Sequence, residues 1–381
     1  MKHRLSYLGA GPDNGPRCSA AMAGSVRLGS SAISSRRGLL LVAIGILGLS
    51  SQVGFAASLS RANTPPRKVV VASAVAGFTG SVETRLGLLE RLVDEAAAKA
   101  SAVHPGRGLD LMVFPEFALA REGPSAAEQA VALAGPVHAR LAAKAKQWHT
   151  WLVVPMTLRE ADRISNAAVL VDREGRVAGI FRKVHPVADN KGVFEGGVTP
   201  GEDYPVFTCD FGRVGILICW DMSYEEGWDA LAAGGAEMVV LPSASPQTIR
   251  PMAQAMRHRY YVVNSAPRDN ATLYDPAGRV MAQVNRAPGV LVQEIDLSFA
   301  ILHWAEALEE GRALTRRFGE LVGGTYSTRE DTGVFWSNDP TRSIGAMIRE
   351  LGLVEMPAEI ERMDAARRKA RESARQGNKE N

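Results

Sequence analysis

Three short stretches each end an apolar run in a reactive side chain. Leu111-Met112-Val113-Phe114-Pro115-Glu116 ends in a carboxylate, Ile180-Phe181-Arg182-Lys183 in an ammonium, and Val214-Gly215-Ile216-Leu217-Ile218-Cys219 in a thiol. A side chain at the end of a buried strand is presented by a loop to a crevice, where it can meet a ligand. Each has a plainer reading. Glu116 could cap a helix or pair with a cation, Lys183 could be a solvated surface residue, and Cys219 could be a small core residue. Together they make a set with chemical meaning. Burial raises a carboxylate's pKa and suits it to general-base work. A thiol deprotonated by that base forms a covalent acyl intermediate, which water later cleaves. A fixed ammonium aimed at the developing oxyanion acts strongly in a dry pocket, where loss of one such donor typically costs roughly a hundredfold to a thousandfold.

The elements that must position these groups are legible as strands and helices. Lys68 to Val75 is a β-branched run and reads as a buried strand, followed by leucines at helical spacing over Val82 to Ala100. Leu109 to Phe114 and Thr150 to Met156 read as strands, with Ala126 to Trp148 helical between them and a break near Gly135-Pro136. Strand and helix in alternation mark an α/β protein. A different rhythm follows. Asp172-Arg173-Glu174-Gly175 joins Ala167–Val171 to Arg176–Phe181 as a hairpin, and the signature recurs at Asp275-Pro276-Ala277-Gly278-Arg279. An Asp opening the turn and a Gly free to take positive φ explain the pattern. Hairpins beside crossovers imply mixed sheets. Further on, Arg213–Ile218, Glu237–Leu241, Tyr260–Asn264 and Val290–Ile295 read as strands, and Tyr224–Ala233 and Pro251–Arg259 as helices. Ile301–Phe318 reads as helical, and Arg362–Asn381 as a charge-dense, solvated helix.

Composition narrows the class. The chain has 381 residues, 46% hydrophobic and 22% charged, which is ordinary for a globular protein. Its net charge is +3, with the basic excess near both ends, so no basic face in the middle implies a nucleic-acid partner. Three cysteines, at 18, 209 and 219, argue against a disulfide framework. Without a CxxC or a His/Cys cluster, no metal or cofactor is expected.

Residues 1–57 read as a leader and export signal. Gly38 to Ala57 is apolar and uncharged, preceded by Ser35-Arg36-Arg37 and followed by the small-residue exit Ala56-Ala57-Ser58. The Ser-Arg-Arg-x-Leu-Leu order resembles a twin-arginine signal, which exports folded proteins. An uncleaved membrane anchor at 38–57 is the alternative. Residues 58–67 form a polar linker, 68–299 the main domain, and 300–381 an extension that could contact a second subunit.

Taken together, Phe114-Pro115-Glu116, Arg182-Lys183-Val184-His185, Ile218-Cys219-Trp220-Asp221, Gly234-Gly235-Ala236-Glu237 and Leu241-Pro242-Ser243 resemble the nitrilase superfamily of carbon–nitrogen hydrolases, over about residues 68 to 297. The resemblance implies a four-layer α-β-β-α sandwich with mixed sheets and a Glu116–Lys183–Cys219 triad. By that analogy Cys219 is the nucleophile, Glu116 its base, and Lys183 with the backbone N–H of Trp220 the oxyanion donors. Glu195, in Phe194-Glu195-Gly196-Gly197, is the candidate second glutamate, ahead of Glu202. Cys-Trp-Asp resembles the amidase and carbamoyl-amidase branches, so the expected substrate is a small amide or N-carbamoyl compound. A nitrile is the runner-up, acyl transfer to an amine a third reading, and a non-catalytic binding or scaffold sandwich the reading of another class. The family also implies a homodimer or larger homo-oligomer, with membrane contact only through the signal or anchor.

Two departures fall near where the family shapes its pocket. Tyr224-Glu225-Glu226 carries Glu where related amidases often have Pro, and Arg257-His258 replaces a Glu-Asn pair. Several single residues keep structural readings. His149 is assigned to a loop or the core, His185 to support of the lysine loop, Cys209 to the core, and Arg159, Arg163 and Arg268 to the surface.

Overall fold

The computed structural model describes residues 61–377. The leader, the export signal and the candidate anchor at 38–57 lie outside the described residues. Among those described, no helix is long and apolar enough to cross a membrane.

Strand β1 (Lys68–Val75) shows why the chain builds layers. Successive side chains point to opposite faces. Val69, Val71 and Val75 enter one core, and Val70, Ala72 and Ala74 another. A strand apolar on both faces must be covered on both. On one side helices α1 (Val82–Val103) and α3 (Gly135–Trp148) supply Leu86, Leu89, Val93, Leu141 and Ala145. On the other side a second sheet closes the core, and α4 (Glu225–Ala233) and α5 (Ile249–His258) cover its far face with Trp228, Leu231 and Ala255. The result is the four-layer sandwich.

The first sheet has seven strands. They are β1, β2 (Leu111–Val113), β3 (Val131–Ala132), β4 (Trp151–Glu160), β5 (Arg163–Val171), β6 (Val177–Arg182) and β13 (Gly289–Asp296). The second has six: β7 (Val206–Thr208), β8 (Arg213–Ile216), β9 (Met238–Pro242), β10 (Tyr261–Ser265), β11 (Ala271–Tyr274) and β12 (Val280–Val284). Read from β13 and from β7, the pairings follow one pattern: antiparallel, parallel, parallel, antiparallel, antiparallel. Both halves therefore share a β-α-β-α-β-β-β order. The two hairpin turns match atom for atom. Asp172 Oδ1 accepts the N–H groups of Glu174 and Arg176, and Asp275 Oδ1 those of Ala277 and Arg279. Each turn glycine has positive φ, +74° at Gly175 and +79° at Gly278, and lies close against a helix.

Two local expectations are corrected. Residues 126–148 are not one interrupted helix: α2 (Ala126–Gln129) stops, β3 pairs parallel with β4, and α3 begins at Gly135. Ala134 is extended and Gly135 has positive φ, so the chain turns before Pro136 can open the helix. Residues 301–318 also begin as strand. In β14 (Phe299–His303) Phe299 and Ile301 face the inter-sheet core while Ala300 and Leu302 face another, an alternation that helical reading missed. β14 pairs with β16 (Thr332–Ser337), which pairs with β15 (Val322–Ser327). With α6 (Arg312–Phe318) and α7 (Ile344–Glu350), this sheet closes a third core that also takes in Ala62. Helix α8 (Met356–Gly377) follows, exposed over residues 365–375.

Candidate active site

The first sheet delivers Glu116 and Lys183 to one edge for a simple reason. β2, β4 and β6 run in the same direction, so the loops after β2 and β6 leave the same side. Cys219 arrives from the second sheet, just past β8, opening a single 3-10 turn over Cys219–Ser223. Three non-glycine residues at these loops have positive φ: Phe117 at +59°, Glu195 at +41° and Cys219 at +46°. Such strain persists where surrounding structure over-determines it, as functional sites do.

Glu116, Lys183 and Glu195 form a closed cluster. Lys183 Nζ donates to Glu116 Oε1 at 2.8 Å and to Glu195 Oε1 at 2.5 Å. Asn166, buried in β5, donates its Nδ2 to Glu116 Oε1 and Glu195 Oε2, each at 2.8 Å. The other oxygen of Glu116, Oε2, accepts the backbone N–H of Ala244 at 2.9 Å. The Lys183 and Glu116 side chains are each 1% exposed, so this is a buried charge cluster and not a surface pair. Burial works against the charge on Lys183, but Glu116, Glu195 and Cys219 outweigh it and hold its pKa above the usual lysine range. Burial and the Glu116 charge push the Cys219 thiol up to about 11, against the opposing pull of Lys183, Ser243 and the Ala244 N–H. At neutral pH the resting Cys219 side chain is therefore a thiol.

A second layer holds the loops in register. Asp221 is fully buried; its Oδ1 accepts the N–H of His185 at 2.7 Å and its Oδ2 that of Ile218 at 3.0 Å. It clips the lysine loop to the cysteine turn. His185 stacks face to face on Tyr224 at 3.6 Å between centroids, with the Tyr204 hydroxyl 3.1 Å from Nδ1 and Glu226 3.2 Å from Nε2. Glu195 also caps its own loop, accepting the Val187 N–H at 3.1 Å.

The cluster thus contains Glu116, Lys183 and Glu195, with Cys219 electrostatically coupled to the first two. Trp220 follows the thiol in the same turn, its side chain 40% exposed. Glu202 is exposed. Cys209 is buried, Arg268 pairs with Asp269 at the surface, and Arg159 and Arg163 donate to the carbonyls of Ala127 and Pro200. Among the described residues, no group of three or more His, Cys, Asp or Glu could hold a metal ion. Sequence reasoning missed Asn166, the clip role of Asp221, and Ser243 with Ala244 at the thiol. Asn166 did leave a signal: a lone amide inside the strand Arg163–Val171, next to Ala167-Ala168-Val169. The two departures prove to be one contact, because Glu225 on α4 pairs with Arg257 on α5.

Residues 70–302 match the family model described as carbon-nitrogen hydrolase. The chain belongs to the carbon-nitrogen hydrolase family. Among relatives within it, the human deaminated glutathione amidase is 28% identical over 167 residues, 37% of this chain and 50% of its own length. The N-carbamoylputrescine amidase of Arabidopsis thaliana is 29% identical over 188 residues, 47% and 59% respectively. The chain thus spans about half the length of these curated relatives. Among solved structures, Saccharomyces cerevisiae Nit3, a nitrilase-superfamily member, superposes with a TM-score of 0.51 at 20% identity, covering 62% of this chain and 92% of Nit3. The resemblance read from the motifs and the sandwich expected from it are thereby borne out.

Proposed function

We propose that the protein hydrolyses a carbon–nitrogen bond of a small amide or N-carbamoyl compound through a Cys219 acyl-enzyme. The observation that carries this reading is the buried Lys183 ammonium shared by two carboxylates beside a thiol at a strained turn. Glu116 Oε1 is committed to Lys183 and Asn166, which leaves Oε2 to serve the thiol. As sulfur attacks the carbonyl carbon, Oε2 takes its proton. The carbonyl oxygen becomes an oxyanion stabilised by Lys183 and the Trp220 N–H. Collapse breaks the C–N bond, and Glu116 returns the proton to the departing nitrogen, releasing ammonia or an amine. Water, deprotonated by Glu116, then adds to the thioester; collapse releases the acid and restores the thiol. Glu195 orients the ammonium and the substrate.

The test is ammonia release by the full chain and its Cys219→Ala variant against small amides, N-carbamoyl compounds and nitriles. Turnover of amides or carbamoyl compounds that vanishes in the variant is expected. Turnover confined to nitriles would move the assignment to a nitrilase. No turnover, with Cys219 inert to a thiol reagent in folded protein, would favour a non-catalytic sandwich. A homo-oligomer belongs to the same proposal: α5 leaves Ile249, Met252 and Met256 exposed on one side, and sedimentation equilibrium reads the mass. So does export, which rests on the sequence of residues 35–57 and is read by cell fractionation.

A further inference from the structure

Two carboxylates meet one ammonium in this site, so a second donor must separate them. That donor is the side-chain amide of Asn166, bridging Glu116 Oε1 and Glu195 Oε2 at 2.8 Å each. The orientation of the amide follows from chemistry. Turned over, its oxygen would face two carboxylate oxygens at hydrogen-bond distance with no proton between them. As oriented, its Oδ1 is buried with no hydrogen-bond partner among the described residues. The site leaves that acceptor unsatisfied to keep both N–H bonds on the carboxylates. The backbone of Asn166 also takes part, since its carbonyl accepts the Lys183 N–H at 2.8 Å. One residue thus fixes the lysine's backbone and both of the lysine's partners.

We infer that Asn166 is a positioning residue that holds Glu116 and Glu195 about the one ammonium and turns Oε2 of Glu116 toward Cys219. The inference rests on the proposed thiol mechanism. A neutral donor does here what a second cation could not. It donates to both carboxylates without adding a charge to the site. The titratable groups around Asn166 are Glu116 after β2, Lys183 after β6, Glu195 on the next loop, and Cys219 after β8. Without the amide, Lys183 alone separates the carboxylates and Oε2 of Glu116 loses its aim at the thiol.

The experiment is the rate of Cys219 alkylation by iodoacetamide against pH, in the full chain and in Asn166→Ala and Asn166→Asp, with the Cys219 peptide quantified by mass spectrometry. Sulfur displaces iodide in this reaction, so it reports thiol activation without needing the true substrate. Thermal unfolding of each variant is recorded alongside. The expected result is an alkylation rate lowered about tenfold or more near neutral pH in Asn166→Ala, where Oε2 is no longer aimed at the thiol, and an acid limb moved up in the isosteric Asn166→Asp, which adds a third carboxylate beside the thiol. With a working substrate, kcat should fall about tenfold or more with little change in KM. If the unaltered protein alkylates but both folded variants keep its rate near neutral pH and its acid limb, the inference is overturned and the thiol mechanism survives. If both variants fail to fold at pH 5 and at pH 8, Asn166 serves β5 alone, which also overturns it. If Cys219 of the unaltered protein does not react at any pH, the functional reading itself fails.

Discussion

At the scale of single residues, the site depends on where protons sit. Cys219 holds its proton and Lys183 holds its own firmly. Lys183→Met keeps the length of the side chain and removes the charge, leaving Glu116 and Glu195 facing each other in a buried site. Loss of an oxyanion donor predicts a fall in kcat of about a hundredfold or more. Breaking a buried pair predicts destabilisation of about 3–5 kcal/mol. The sign with pH follows: without the ammonium, the carboxylate pKa values rise in the folded state, so the variant should be relatively more stable at pH 5 than at pH 8. Turnover assays and thermal unfolding at both pH values check this. Activity within tenfold of the parent would remove Lys183 from the mechanism. Glu116, Lys183 and Cys219 were legible in the sequence because each ends an apolar strand in a reactive group. Asn166 was not, because its meaning lies in two partners 50 and 29 positions away.

At the scale of elements, parallel strands gather the reactive loops and Asp221 joins them. A carboxylate after the cysteine read from sequence as a branch marker. In the structure it is a clip whose two oxygens satisfy two backbone N–H groups on different loops. Asp221→Ala leaves both donors without it, at about 1–3 kcal/mol each. The expected outcome is a lower thermal midpoint together with a large loss of kcat, since the lysine loop is no longer held to the thiol. Asp221→Asn keeps an acceptor for only one of the two donors and should fall between. Equal stability of Asp221→Ala and the parent would remove the clip. The Glu225–Arg257 pair also joins two elements, but both side chains are half-exposed and such pairs contribute little. Substituting either should change stability by less than about 1 kcal/mol.

At the scale of the molecule, the chain after β13 is stitched to residues 62–68. Ala62 lies in the third core, the Ala62 carbonyl accepts the Gly345 N–H at 2.7 Å, and Lys68 Nζ donates to Asn338 Oδ1 at 2.9 Å. Glu355, just before α8, is 8% exposed, and burial holds its carboxyl up at about 7, against the pull of Arg349. Because the folded pKa lies above the ordinary value of 4.5, this group favours the folded state most at low pH. Its contribution declines as pH rises from about 4.5 and levels off above about 7. Glu355→Gln should therefore flatten the loss of thermal stability between pH 5 and pH 8, with a gain of at most about 3 kcal/mol at the upper end. An unchanged pH profile would show that the carboxylate finds solvent or a partner.

The sequence by itself determined what is local. Period-two and helical patterns placed most strands and helices, the Asp-x-x-Gly-Arg turns specified both hairpins, and reactive residues at strand ends marked the candidate site. Those signals are short-range, because pleat, helix period and turn geometry act over a few residues. Tertiary structure decided what depends on partners far apart in the chain. It made an ordinary strand asparagine the bridge between two carboxylates, turned two departures from the family pattern into one ion pair, and folded residues after 298 into a third sheet. Burial is the physical reason. The charge state of Lys183, Cys219 or Glu355 depends on which groups close over it, and the alternation of Phe299 and Ile301 acquires meaning only when a core lies on each side of their strand.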